Sequence, residues 1–217
     1  MADIDSWVEA QEFQITLDAN GRIIDYLDNN IKRPNTPEER IRQKMVQILH
    51  CEFAYPMSHI GIEKQINIGR EIKRADIVIY NSAAACASND QGNIYLIAEC
   101  KAPNILNSDG QLYSYMSASS AQGGFWTNGN KIEFYRKDVT TGAFISWIGL
   151  PKYEQAWDSI GKYKKSDLII PVDLKLAFRR CHNAIYRSGI DSEDIALDMV
   201  RIILSKIFVV WENRRLF

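Results

Sequence analysis

The chain has 217 residues, of which 46% are hydrophobic and 24% are charged, with a formal net charge of −1 at pH 7. These values are typical of a globular protein with one ordinary domain, or one domain and a small appendage, and they exclude a strongly basic nucleic-acid-binding chain. No apolar run approaches about 20 residues and the acidic N-terminus is unlike a signal peptide, so no membrane span is predicted and a cytoplasmic protein is expected.

The first quarter of the chain predicts a turn followed by a capped helix. Residues 18–21 (Asp-Ala-Asn-Gly) are a strong turn signal between two short apolar segments. Thr36 is a good N-cap, Pro37 suits the first helical position, and Glu39 completes a capping box. Apolar residues at helical spacing then extend the predicted helix to about Phe53.

The middle of the chain predicts a β-sheet with one further helix. Alternating or continuous apolar runs, each bounded by turn residues, are typical of strands. The predicted strands are residues 60–68, 74–80, 94–101, 125–127, 131–136 and 144–148, the predicted helix is residues 108–121, and residues 81–93 are expected to form a loop. This order predicts a mixed α/β fold in which helices flank the sheet.

The periodicity changes after Pro151. Residues 173–187 and 192–210 show the spacing of two amphipathic helices, and Gly189 separates them. The sequence therefore predicts one domain over residues 1–150 and a helical tail over residues 151–217.

An acid and a lysine end the most apolar predicted strand. Because strand side chains alternate between faces, Glu99 and Lys101 project together while Cys100 points the other way. Asp76 lies near the start of the preceding strand. Two acids on adjacent strands can supply oxygen ligands for Mg²⁺, and a lysine beside them can orient a water near a phosphate. These residues predict metal-dependent hydrolysis of a phosphodiester.

The same residues also have a structural explanation. Asp76 could be an exposed acid at a strand entrance, and Glu99 with Lys101 could be a surface ion pair worth under about 1 kcal/mol. The context favours function, because Glu99 follows five uncharged residues and a carboxylate at the end of so apolar a strand needs a partner.

Five short segments carry a resemblance to a known family. They are residues 36–43 (TPEERIRQ), 74–78 (RADIV), 99–103 (ECKAP), 111–115 (QLYSY) and 126–129 (WTNG). In this order the chain resembles the PD-(D/E)XK nuclease superfamily. More narrowly, it resembles the N-terminal nuclease region of type I restriction enzyme R subunits and of related restriction–modification fusion proteins. The resemblance implies a restriction-endonuclease-like fold with a C-terminal helical appendage.

The resemblance also implies roles for individual residues. Asp76 and Glu99 would hold Mg²⁺ or Mn²⁺ and Lys101 would be the catalytic lysine, since Glu99-Cys100-Lys101 satisfies the family's acid-x-lysine pattern. Glu39 falls where the superfamily often has a first-helix glutamate that assists the metal. The capping box explains Glu39 equally well, so both roles remain open.

Gln111 and Tyr115 match the Q-x-x-x-Y element that follows the catalytic strand in such nucleases. They are four residues apart and share a helix face, where an amide and a phenol can hydrogen-bond a phosphate or the lysine. The alternative is an ordinary, partly exposed helix face.

The tail resembles the segment that joins such a nuclease to an N6-adenine DNA methyltransferase, although no methyltransferase tetrapeptide or P-loop is present. The predicted function is therefore a metal-dependent DNA endonuclease domain of a restriction–modification defence system. The alternative is a catalytically silent DNA-binding or subunit-assembly module. The expected partners are double-stranded DNA and methyltransferase, specificity or helicase subunits or domains.

Overall fold

A computed structural model describes residues 13–105, 109–161, 175–176 and 179. The described residues up to Gly161 lie within one compact unit, bounded at Asp3 and Tyr163. The predicted helices 173–187 and 192–210, and with them the methyltransferase-linker resemblance, lie almost entirely outside the described residues. The predicted division of the chain after residue 150 stays a prediction.

The described residues up to Gly161 form eight β-strands, three α-helices and three short 3₁₀ helices. In chain order the elements are β1 (Ile23–Ile24), β2 (Lys32–Arg33), α1 (Pro37–Cys51), a 3₁₀ helix (Met57–His59), β3 (Ile60–Ile68), β4 (Glu71–Tyr80), α2 (Ala83–Ser88), a 3₁₀ helix (Gln91–Asn93), β5 (Ile94–Cys100), α3 (Asp109–Ser117), β6 (Gly123–Thr127), β7 (Ile132–Lys137), β8 (Phe144–Trp147) and a 3₁₀ helix (Trp157–Ser159). Within this part of the chain, no helix is both long and apolar enough to cross a bilayer.

Strands β3 to β8 form one six-stranded sheet in which neighbours in space follow the order of the chain. Every pair is antiparallel except β5 with β6, which is parallel. The parallel pair approaches closely, since a Cβ added at Gly124 would lie 2.2 Å from the carbonyl oxygen of Ile97. A mixed sheet flanked by helices confirms the predicted fold class.

Helices α1 and α3 cover opposite faces of the sheet. Side chains alternate along β5, so Leu96, Ala98 and Cys100 pack on the α1 side while Ile97 packs on the α3 side. The face of α1 that meets the sheet is fully buried and apolar in the second half of the helix. Its residues there are Met45, Val46, Ile48 and Leu49.

The start of α1 follows the predicted capping chemistry. Thr36 is the N-cap and its hydroxyl oxygen accepts a hydrogen bond from the Glu39 N–H at 3.2 Å, while Pro37 is the first helical residue. The turn at residues 18–21 also forms, with the Gly21 N–H donating to the Asp18 carbonyl at 3.0 Å. These local signals depend on neighbouring residues alone, and the predicted turn, the Thr36 N-cap and the position of Pro37 are confirmed.

Three elements differ most from their predicted bounds. Residues 81–93, predicted as a loop, contain α2, which Ser82 caps and Asn89 ends in the left-handed conformation at φ 54°. The alanine-rich sequence of this segment favours a helix even at six residues. Strand β4 begins at Glu71 rather than at residue 74, and α3 ends at Ser117 rather than at residue 121.

Candidate active site

Two buried carboxylates meet where β4 and β5 lie side by side. The antiparallel register pairs Ile77 with Ala98, which places Asp76 across from Glu99. Asp76 is 8% exposed and Glu99 is 1% exposed. The Cys100 N–H donates to Asp76 Oδ2 at 2.7 Å and fixes the orientation of that carboxylate. The acids predicted to share a site are therefore close neighbours inside the protein.

Lys101 lies directly after β5 and pairs with Glu99. Its ammonium donates to Glu99 Oε1 at 2.5 Å, and its side chain is 19% exposed. Its backbone N–H donates to the Thr127 carbonyl at 2.8 Å, which extends the β5–β6 pairing by one bond. Burial alone lowers the pKa of Lys101, but the hydrogen bond and the charge of Glu99 outweigh it and raise that pKa, so the side chain remains an ammonium.

Glu99 is the most perturbed acid of the site. Burial, and then the charge of Asp76, raise the pKa of Glu99 to about 7, although the hydrogen bond from Lys101 acts in the opposite direction. Its second oxygen, Oε2, is buried and has no hydrogen-bond partner among the described residues. A buried carboxylate oxygen without a donor costs free energy, and a cation bound beside it would remove that cost.

Gln111 and Tyr115 on α3 connect Lys101 to strand β4. The Lys101 ammonium lies 3.4 Å from Gln111 Oε1, and Gln111 Nε2 donates to the Tyr115 hydroxyl at 2.6 Å. That hydroxyl donates to the Arg74 carbonyl at 2.8 Å. Both residues were predicted to hydrogen-bond a phosphate or the lysine. Gln111 lies beside the Lys101 ammonium, and Tyr115 contacts Gln111.

Glu39 does not make the reciprocal half of a capping box. The Thr36 N–H donates to the Pro34 carbonyl at 3.0 Å, and the Glu39 carboxylate accepts from Gln43 at 2.9 Å and from Arg42. Glu39 is 3% exposed, and burial raises its pKa despite these donors. Its side chain therefore belongs to a buried ionic network rather than to the helix cap.

Arg42 joins Glu39 to Asp76. One guanidinium nitrogen, Nη2, contacts Asp76 Oδ1 at 2.6 Å and the other, Nη1, contacts Glu39. Burial alone lowers the pKa of Arg42, but the charges of Asp76 and Glu39 outweigh it and raise that pKa. The sequence analysis missed this residue. Its position three residues after Glu39, on the same helix face, was the one available signal.

The network continues from Glu39 to the small β1–β2 sheet. Arg33 on β2 contacts the buried Asp25 and reaches Glu63 at 2.9 Å. Glu63 lies in β3 next to the residues that pair with Ile77 and Ala75, and it has a left-handed backbone with φ 53°. A non-glycine residue in that conformation costs on the order of 1–3 kcal/mol. No sequence spacing predicted this group, because its members come together only in the tertiary structure.

The donor set suits a hard divalent cation. Among the described residues no group of three His, Cys, Asp or Glu side chains is placed to hold a metal ion. Mg²⁺ needs fewer protein ligands, because it keeps several waters and binds through one or two carboxylates plus substrate phosphates. Asp76 and Glu99 fit that requirement, since Glu99 Oε2 has no hydrogen-bond partner within the described ranges and Asp76 lies across from it. Glu39 is connected to Asp76 through Arg42.

Comparison with known proteins gives one match. A family model described as the N terminus of the type I restriction enzyme R protein matches residues 37–151. The matched segment is more than half of the chain, begins at the first residue of α1, and includes every candidate residue described above from Glu39 to Tyr115. Neither the search of curated proteins nor the search of solved structures found a match.

Proposed function

Because this chain belongs to the family of type I restriction enzyme R protein N termini, which gives it a role in restriction–modification, we propose that it is a metal-dependent DNA endonuclease domain. The proposal includes membership of the PD-(D/E)XK superfamily, with Asp76, Glu99 and Lys101 as its motif residues. Double-stranded DNA is the proposed substrate, and methyltransferase, specificity or helicase subunits or domains are the proposed partners.

The observation that carries this proposal is the environment of Glu99. A carboxylate that is 1% exposed lies across from a second carboxylate, with one oxygen bound by Lys101 and the other without a partner in the described part of the chain. A purely structural pair would leave neither the unpaired oxygen nor the repulsion between Glu99 and Asp76. Perturbed acids of this kind are concentrated at functional sites.

Each residue has a defined task in the proposed mechanism. Asp76 and Glu99 would hold Mg²⁺ or Mn²⁺, and a metal bound there would supply polarisation of the scissile phosphate and a bound water of lowered pKa. Lys101 positions that water or stabilises the charge that develops on the phosphoryl oxygens. Arg42 and the Cys100 N–H hold the two oxygens of Asp76, which fixes the orientation of its carboxylate.

The remaining candidates support these groups. Gln111 and Tyr115 restrict the Lys101 ammonium from the α3 side, since the amide accepts from the lysine and the phenol anchors the amide to β4. Glu39 assists the metal site through Arg42, because its carboxylate binds the guanidinium that also binds Asp76.

The test is cleavage of plasmid DNA by the full chain with Mg²⁺, with Mn²⁺ and with EDTA. The Lys101→Ala variant is expected to lose about 10²–10³-fold in rate, the cost of removing one preorganised charge-stabilising donor. Lys131→Ala is the matched control, since Lys131 also pairs with a glutamate two residues away but lies outside the site. Its rate should equal that of the wild type.

Two results would contradict the proposal. Metal-dependent cutting that survives Lys101→Ala places the active site elsewhere. DNA binding without any metal-dependent cutting favours the alternative, a catalytically silent DNA-binding or assembly module.

A further inference from the structure

Strands β3 and β4 continue as a two-stranded ribbon past the last pair that β4 makes with β5. In the described register, β4 pairs with β5 from Ile77 to Tyr80. The pairing of β3 with β4 continues past that point over residues 64–75, called the β3–β4 ribbon below. The outer edge of β3 is held to the body of the protein, because Asn89 Nδ2 donates to the Gln65 carbonyl at 3.0 Å and the Asn67 N–H donates to Gln91 Oε1 at 2.9 Å.

The β3–β4 ribbon begins at the candidate active site. Asp76 is the next residue of β4, and the Arg74 carbonyl accepts the hydrogen bond from the Tyr115 hydroxyl at 2.8 Å. From Asp76 to Arg70 the chain runs six residues, which span about 20 Å at the usual strand rise. Anything bound at Asp76 and Glu99 that extends over such a distance lies within reach of the ribbon.

The two faces of the β3–β4 ribbon differ in chemistry. Ile66 is completely buried against the α3 side of the core and Ile68 packs at its margin. On the other face, Ile72 lies opposite the exposed Asn67 and is 64% exposed, and Arg70 and Arg74 are exposed on the same side. An exposed isoleucine in an ordered strand next to a functional site indicates a contact surface.

The exposed part of the β3–β4 ribbon is positively charged in a chain whose net charge is −1. Residues 67–74 contain Arg70, Lys73 and Arg74 against the single acid Glu71, a local charge of +2. Glu71 pairs with Lys73 at 3.2 Å. Among the described residues neither Arg70 nor Arg74 forms an ion pair, so both guanidinium groups are available to an anionic partner.

We propose that the exposed face of the β3–β4 ribbon, formed by Arg70, Ile72 and Arg74, lies against duplex DNA beside the scissile phosphate. The inference rests on the proposed function, because it takes the DNA to be bound at Asp76 and Glu99. At least half of all protein–DNA hydrogen bonds go to the phosphates and sugars, and arginine side chains are common donors to phosphate oxygens. Arg70 and Arg74 contact phosphates, and Ile72, which lies between them on the same face, makes an apolar contact with base edges or thymine methyl groups.

The salt dependence of DNA binding tests this inference. The full chain is titrated onto a fluorescently labelled duplex in EDTA, where no cutting occurs, at several KCl concentrations. The logarithm of the binding constant falls linearly with the logarithm of the salt concentration, and each lost phosphate contact makes this slope less steep by about 1. Arg70→Gln and Arg74→Gln are each expected to show that decrease. Lys152→Gln, an exposed lysine far along the chain from the ribbon, is the single-charge control and should keep the wild-type slope.

Ile72→Ser separates the apolar contact from charge. This variant keeps every basic residue, so its slope should match the wild type while its affinity falls at least about fivefold at every salt concentration. All the substituted side chains are exposed, so thermal melting should show folded proteins.

The outcomes distinguish this inference from the proposed function. Wild-type slopes and affinities in the ribbon variants, with plasmid cutting retained, overturn the β3–β4 ribbon as a DNA contact and leave the nuclease standing. Loss of association with another subunit, with DNA binding unchanged, makes the ribbon a protein-docking surface and also overturns the inference. A wild-type chain that neither binds nor cuts DNA overturns both.

Discussion

Two glutamate–lysine pairs in the same sheet have the same residue types and the same spacing but opposite properties. Glu99 pairs with Lys101 at the end of β5, and Lys131 pairs with Glu133 at the start of β7. The Glu99 side chain is 2% exposed, whereas that of Glu133 is 26% exposed. A tyrosine hydroxyl, that of Tyr135, completes the surface pair by donating to Glu133 at 2.7 Å.

The pKa values of the two glutamates move in opposite directions. Burial raises the pKa of both carboxyl groups. At Glu133 the hydrogen bonds from Lys131 and Tyr135 outweigh that effect and lower the pKa. At Glu99 burial is greater and Asp76 adds a second negative charge, so the pKa rises to about 7. A glutamate and a lysine two residues apart on a strand are therefore not diagnostic alone, whatever their order; the buried second acid is what makes one pair a candidate active site.

Removing Arg42 should have the largest effect on stability, because Arg42 is the cation that pairs with the buried carboxylates of Asp76 and Glu39. Arg42→Ala leaves Asp76 and Glu39 buried without their cation, and we expect the free energy of unfolding to fall by about 3–5 kcal/mol. Chemical denaturation measures this. At the surface pair, Lys131→Ala should cost at most about 1 kcal/mol. Equal losses in the two variants would show that the Arg42 network is not a buried charge system.

The pH dependence of stability should separate the two glutamates by sign. The pKa of Glu99 is higher in the folded state than in the unfolded state. Ionisation of Glu99 therefore lowers the free energy of unfolding as pH rises from about 4.5 through about 7. Glu99→Gln removes this penalty and still accepts a hydrogen bond from Lys101. We expect the variant to be more stable than the wild type at pH 8, by on the order of 1 kcal/mol, with the difference fading towards pH 4.5.

Glu133→Gln should give a smaller effect of the opposite sign. The folded-state pKa of Glu133 is lowered, so its stabilisation is present above its unfolded pKa and lost as pH falls through the folded value. The variant should be less stable than the wild type at pH 8 by a few tenths of a kcal/mol, since solvent screens the pair. Thermal or chemical denaturation at pH 4, 6 and 8 gives both comparisons. Shifts of the same sign would contradict the assignment of opposite environments.

What the sequence could predict depended on how local each feature was. Thr36 and Pro37 set the start of α1 through adjacent residues, and the apolar run before Glu99 identified β5 with a charged end. The placement of Asp76 across from Glu99 followed from the expectation that their strands are neighbours.

The remaining features depended on tertiary contacts. Arg42 and Asp76 are 34 residues apart in the sequence. Arg33, which pairs with Asp25, comes within 3.6 Å of Glu39 because β1 and β2 pack beside α1. The side chain of Glu39 had two plausible partners, and the choice between the cap and the buried network depended on Arg42 and Gln43. The alanine-rich helix α2 lacks the periodicity on which helix prediction depends.

Binding of Mn²⁺ to the metal-free full chain at pH 8 tests the central claim most directly, because it needs neither DNA nor a partner subunit. Titration calorimetry of the wild type should show one site, which Glu99→Gln weakens by at least about tenfold and Glu133→Gln leaves unchanged. Wild-type affinity in Glu99→Gln, or equal losses in both variants, would show that the carboxylates of Asp76 and Glu99 do not form a metal centre.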